Sequence, residues 1–293
     1  MDDVGSLLNS LCHLMVSFER AVVGDPDGSG EVLGLDMPGL AVLVSLDLFG
    51  EMRPSSVAEL LGGTTSMATK VVGRVERHGY VVRRHGEVAG DRRAVTVQLT
   101  EAGRAAIDRC EAVLSGLSLD LQAAMLSVDR ATAPEPGRRP DPVDLPGEHP
   151  PSTGPPLAEF LRFVVAIDKP ILATAGHLKA LHPADPRGLL VLSELELRGG
   201  LRVGDVAALV DRSRNTVERL VRDLEADSLV RRGPGGVAGD GRAVVVELTG
   251  AGSAIIRGIV AAIRADLPEL RPVMTALGRA LSGERQGLGA ARP

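Results

Sequence analysis

Two short stretches of this chain carry side chains suited to reading a DNA duplex. Thr65, Ser66, Thr69, Lys70 and Arg74 fall on the polar side of one helical segment, and Arg214, Asn215, Glu218, Arg219 and Arg222 on that of another. A helix in the major groove needs short polar groups near its N-terminus and longer Arg, Asn or Lys side chains that reach base edges. Arg214 and Asn215 suit guanine and adenine edges; Lys70 and Arg219 suit bases or phosphates. The competing reading is that these are ordinary solvated residues on exposed helix faces. The residues C-terminal to each segment argue against that. Both segments lead into a Gly-containing hairpin tip, with Asp91-Arg92-Arg93 in the first and Asp240-Gly241-Arg242 in the second. Arg92, Arg93 and Arg242 are placed to lie along the backbone or enter a minor groove, where a narrow A/T-rich groove attracts arginine. Asp91 and Asp240 would repel phosphate, so each is read as orienting its neighbouring arginine or as a turn aspartate bonding local backbone.

Other chemistry is thin. Asp25, Asp27, Ser29, Glu31 and Asp36 have the spacing of a calcium loop, but its ninth position is Leu33 and nothing similar returns later, so the stretch reads as an acidic loop. The six histidines have no zinc-type spacing with cysteines or acids. No phosphate-binding glycine loop, nucleophile elbow or zinc-hydrolase signature is present. The expectation is no cofactor, no metal and no enzyme activity.

The two stretches belong to a duplication. Residues 36–107 return at 185–256 with a constant offset of 149 and no gap, and roughly 31 of the 72 aligned positions are identical. The repeat extends to an N-terminal amphipathic helix, Leu7, Leu8, Leu11, Leu14, Met15, Phe18 and Val22 matching Leu157, Phe160, Leu161, Phe163, Val164, Ile167 and Ile171 in spacing. A repeat this long is a whole domain rather than a solenoid unit. In the first copy an apolar helix is expected over 40–48. A capping box at Ser56-Val57-Ala58-Glu59 then opens a short helix that ends at Gly62-Gly63. Thr64 or Thr65 opens the next helix, with Ala68, Val71, Val72 and Val75 buried. Asp211 or Ser213 opens its counterpart, with Val217, Leu220, Val221 and Leu224 inside. Strands are expected at 80–84 and 94–99, and a long helical stripe from Thr100 through Met125. Two helices joined by a tight turn and followed by a basic hairpin make a helix-turn-helix with a wing. Proline-rich residues 132–155 read as a linker, giving domains at 1–131 and 156–293.

Composition bounds the class. Aromatics are only 2% of 293 residues, so the core must be aliphatic. Two cysteines are too few for a disulfide scaffold. The N-terminus carries acids where a signal peptide needs positive charge, and no apolar run is long enough to span a bilayer. The expectation is a soluble cytoplasmic chain without a membrane partner. The net charge of −5 hides segregation. Residues 64–93 hold seven Lys/Arg against three acids, and residues 213–242 six against five. Positive charge therefore concentrates where the repeat would meet DNA, more so in the first copy.

A helix-turn-helix, an Asp-x-Arg wing and an aliphatic strand ending in Leu-Thr-x-Ala-Gly, flanked by long helices, resembles the MarR family of winged-helix regulators. The resemblance covers nearly all of both halves outside the linker. It implies a mainly α fold with small β wings (α+β) and a transcription regulator, most readily a repressor, with double-stranded operator DNA as partner. A small-molecule effector between the interlocked helices and the DNA-binding lobes is implied as well. Family members act as homodimers on two half-sites, so a tandem form implies an intramolecular pseudo-dimer in a monomeric chain. The second wing departs from the pattern by losing one arginine, and the two reading faces differ, which implies either non-identical half-sites or one head that has drifted toward weak, phosphate-only contact. The segment around Cys12 is loosely similar to that of the peroxide-sensing cysteine in organic-hydroperoxide regulators of this family, so Cys12 and Cys110 stand as candidate redox residues. Leu11 and His13 flank Cys12 with no tyrosine near, and a buried structural cysteine is the favoured reading. The alternative from another class is a winged-helix protein-interaction module with reduced DNA binding.

Overall fold

The computed structural model describes residues 3–23, 33–61, 63–85, 95–131, 154–178, 181, 186–210, 212–234 and 244–282. Most of the acidic loop, the linker and both hairpin tips lie outside the described residues. The architecture is mainly helical with two small sheets, which fits a winged-helix α+β form. In the first copy the elements are α1 (Asp3–Val23), α2 (Met37–Phe49), α3 (Pro54–Leu60), α4 (Thr65–Arg77), β1 (Val81–His85), β2 (Val95–Leu99), α5 (Glu101–Leu117) and α6 (Leu119–Ala131). In the second they are α7 (Pro156–Ala175), α8 (Arg187–Arg198), β3 (Leu201–Arg202), α9 (Val203–Val210), α10 (Arg214–Ala226), β4 (Val230–Pro234), β5 (Val244–Leu248), α11 (Gly250–Ala265) and α12 (Leu267–Leu281). Within the described residues the duplication thus repeats element by element, apart from β3.

Local chemistry sets these boundaries. The Asp36 carboxylate accepts from the Gly39 N–H at 3.0 Å and opens α2, which stops at Gly50 with φ 78°. Thr64 accepts from the Met67 N–H at 3.2 Å to open α4, and Ser213 accepts from the Thr216 N–H at 3.4 Å to open α10. Ala68, Val71, Val72 and Val75 are buried as the sequence implies, as are Val217, Val221 and Leu224. Leu220 departs from the expectation: it is half-buried, at the edge of the stripe.

Two other expectations need correcting. The α3 helix opens at Pro54 with Arg53 as its cap and no side-chain bond, so Ser56 lies within the first turn and does not cap. Pro54 has no N–H to leave unsatisfied and its fixed φ suits a first helical position, which outcompetes the capping box. The stripe beginning at Thr100 is two helices, not one, broken at Ser118. The Ser118 carbonyl accepts the Gln122 N–H at 2.9 Å and so starts α6 afresh. The hairpin of the second copy also gains a partner, β3, giving the order β3-β5-β4; in the first copy the same place holds a single bridge between Met52 and Val97. Both hairpins are antiparallel, Val81 opposite Leu99 and Val230 opposite Leu248.

The Leu-Thr-x-Ala-Gly run closes each hairpin onto the next helix. Thr100 donates its hydroxyl to the Gly79 carbonyl at 2.7 Å and accepts the Gly103 N–H at 3.0 Å. Thr249 repeats both bonds with the Ser228 carbonyl, 2.7 Å, and the Gly252 N–H, 3.0 Å. A Cβ on Gly103 would stand 2.2 Å from the Tyr80 carbonyl oxygen, and one on Gly252 2.2 Å from that of Leu229. Glycine is required there because helix and strand backbones touch.

The chain forms two compact units, and the divide does not follow the repeat. One comprises the described residues within Met1–Val16, Ser118–Gly154 and Arg162–Pro293; the other, those within Ser17–Leu117 and Pro155–Leu161. The divide therefore cuts α1 after Val16 and α7 after Leu161. In the second unit the Phe160 ring packs against Phe18, centroids 5.6 Å apart. In the first, Asn9 and His13 reach the buried Glu194 of α8, at 3.1 and 2.7 Å, and the Ser193 hydroxyl donates to Asn9 at 2.7 Å. Arg198 approaches the second Glu194 oxygen. Burial raises the Glu194 pKa, but hydrogen bonds from His13 and Asn9, with the Arg198 charge, outweigh it and hold the carboxyl below its ordinary value.

Gly103→Ala should cost about 1–3 kcal/mol or more, because the clash is with backbone that cannot turn aside. Thr100→Ala should cost about 1 kcal/mol by loss of the cap. Chemical denaturation of each variant measures both; a Gly103→Ala protein as stable as wild type would refute the close-approach account.

Candidate nucleic-acid interface

The helices α4 and α10 project the residues singled out from the sequence. Thr65, Ser66, Thr69 and Lys70 are exposed on α4; Arg214, Asn215, Arg219 and Arg222 are exposed on α10. Two others are engaged. Arg74 is half-buried, with Nη2 2.6 Å from Asp36 Oδ2, so it ties α4 to the cap of α2. Glu218 is half-buried, with Oε2 2.9 Å from Arg232 Nη1. The repeat also sharpens the comparison of the two faces: 149 residues on, Arg74 gives way to Asp223 and Gly73 to Arg222. The cationic positions have moved along the helix as well as changed in type.

Each of these helices is braced from the following strand by an arginine that sequence reasoning missed. Arg83 on β1 lies 3.5 Å from Glu76 and donates to the Thr69 carbonyl at 3.4 Å. Arg232 on β4 lies 3.1 Å from Glu225 as well as contacting Glu218. The pairs Glu76–Arg83 and Glu225–Arg232 are identical in the two copies, and that identity was the available signal. On the hairpins themselves, Arg231 pairs with Glu247 at 2.8 Å across β4 and β5. Asp91, Arg92, Arg93, Asp240 and Arg242 lie outside the described residues.

Both cysteines are free and buried. Burial pushes the Cys12 thiol up to about 12, and the charge of Asp168 adds to it. Burial likewise pushes Cys110 up to about 12; Arg109 pulls it down and Glu111 raises it. A thiol raised this far is almost wholly protonated at neutral pH and a poor nucleophile. Among the described residues no group of three or more His, Cys, Asp or Glu is placed to hold a metal ion, and no helix is long and apolar enough to cross a membrane.

No family model matches the chain. A stretch of 69 residues is 42% identical to the uncharacterized HTH-type transcriptional regulator YfiV of Bacillus subtilis, covering 24% of this chain and 42% of that protein. The chain thus spans less than half the length of that relative. Among solved structures, YusO of Bacillus subtilis shares 27% identity over 34% of this chain and 77% of its own, with a TM-score of 0.30. A MarR-family transcriptional regulator from Silicibacter pomeroyi shares 24% identity over 45% of this chain and 92% of its own, with a TM-score of 0.28.

Asp168 offers a pH test of the environment around Cys12. Burial raises its carboxyl from 3.8 to about 7, so between those values the folded state holds a proton that the unfolded chain has released. Stability contributed at this position is therefore full below about pH 4, declines as pH rises through about 7 and levels off above it. Asp168→Asn should flatten that decline and stabilise the protein at pH 8 by about 1–3 kcal/mol. Urea melts from pH 4 to 8 measure it, and parallel slopes for variant and wild type would contradict it.

Proposed function

We propose that this chain is a sequence-specific, double-stranded-DNA-binding regulator of transcription, a ligand-responsive repressor that reads two non-identical half-sites as an intramolecular pseudo-dimer. The observation that carries the reading is a twice-built cassette. Each copy sets a capped helix with an exposed polar face directly before an antiparallel hairpin, and the tip of each hairpin sequence carries arginine. The similarity of 69 residues to a protein described as a helix-turn-helix transcriptional regulator supports the same class. The pseudo-dimer reading is supported by the way each compact unit takes in N-terminal helical residues of the opposite copy.

Two such heads address half-sites about one helical turn, roughly 34 Å, apart. Fusion removes the bimolecular step of dimerisation, since the partner is always at high effective concentration. It also lets the heads diverge, so the operator need not be palindromic. An effector acts by its differential affinity for a state whose heads misfit the groove.

Selection of duplexes from randomised or genomic DNA should return sites with two dissimilar halves, bound with an affinity that falls steeply with salt. Arg214→Ala should cost about 1–3 kcal/mol and relax preference in one half-site. Lys70→Ala should weaken all sites alike and flatten the salt slope if it contacts phosphate. Arg93→Ala should weaken binding at every salt concentration. A chain that retains no duplex at low salt sinks this reading and favours the protein-interaction module, a view to which the more nearly balanced charge of the second head lends itself.

A further inference from the structure

The fifth residue of each reading helix is one place where the two heads differ in kind. Thr69 stands there in α4 and Glu218 in α10, at the repeat offset. Building on the DNA-binding reading, we propose that this position sets base preference: Glu218 selects cytosine in the second half-site, and Thr69 favours thymine at the equivalent place in the first.

Thr69 is exposed, but its hydroxyl is spent on the helix, donating to the Thr65 carbonyl at 2.8 Å. With its donor used, the side chain keeps only an acceptor oxygen and a methyl, and the methyl suits the C5-methyl of thymine in the major groove. Glu218 is different in chemistry. Its Oε2 is held 2.9 Å from Arg232 Nη1, and a carboxylate brings a second oxygen with acceptor capacity of its own. An ionised carboxylate can only accept. In the major groove cytosine offers a lone amino donor, whereas adenine sets its amino group beside the N7 acceptor, which repels a carboxylate.

A bare carboxylate facing a phosphate-lined groove would be expelled by like charge. Arg232 answers that. Its guanidinium bridges Glu218 and Glu225, the latter at 3.1 Å, so the acid is fixed in direction and its charge offset. The first copy has the same arginine, Arg83, tied to Glu76 and to the Thr69 carbonyl. The brace is common to both heads; the carboxylate it steadies is not.

The test is duplex selection with the full chain as wild type, Glu218→Gln and Glu218→Thr, with thermal melts to show that each is folded. Gln keeps the size and adds a donor, so it should move the preference at one position from cytosine to adenine. Thr should move it to thymine. Each change should be on the order of ten-fold at that position and leave the other half-site untouched. Wild type that selects dissimilar halves with no cytosine preference sensitive to Glu218 overturns the inference alone. Wild type that selects no site overturns the DNA-binding reading and this inference with it. A folded Glu218→Gln protein with the wild-type preference shows Glu218 to be a strut for Arg232 and nothing more, which also overturns it.

Discussion

The geometry of each winged helix rests on one backbone contact, where the first turn of α5 presses on the Tyr80 carbonyl and that of α11 on the Leu229 carbonyl. The same carbonyls accept the N–H of Thr100 and Thr249 at 3.0 Å. Each threonine hydroxyl reaches one residue further back, to Gly79 or Ser228, where the chain leaves α4 or α10. The end of that helix, the root of the hairpin and the start of the next helix are thereby joined through three residues. A side chain at the glycine would part them.

That coupling is the same in both copies, while the faces it presents are not. The threonine, the glycine and the Glu–Arg brace recur unchanged. Between them the α4 face carries Thr65, Ser66 and Lys70, and the α10 face carries Arg214, Asn215 and Arg219. Even the turn has diverged: Gly79 takes φ 77° without penalty, whereas Ser228 holds φ 59°, a conformation uncommon for a residue with a side chain. The scaffold tolerates that local strain, and its chemistry is divided cleanly between shared support and private surface.

Sequence reasoning reached the support well where the signal was periodic. The stripes of α1 and α4 follow from spacing, and residue type narrows the cap of α4 to Thr64 or Thr65 and that of α10 to Asp211 or Ser213. It failed where the answer lay in tertiary contact. A helical wheel does not show that Arg74 meets Asp36, thirty-eight positions earlier. Glu218 and Arg232 are fourteen residues apart on different elements, so no periodicity links them. The break at Ser118 was hidden because the apolar stripe continues across it: Leu114 and Leu121 are both fully buried on either side. The two-residue β3 is too short to have any pattern of its own.

The way α1 and α7 are shared has a bearing on biosynthesis. A ribosome releases the N-terminus first, but Ser17–Leu117 complete their unit only with Pro155–Leu161, and the leading turns of α1 belong with segments made later still. The segment that holds Leu7, Leu8 and Leu11 thus belongs with residues translated more than a hundred positions later. Contacts so distant along the chain form slowly, and nascent polypeptides with exposed greasy helices are clients for chaperones.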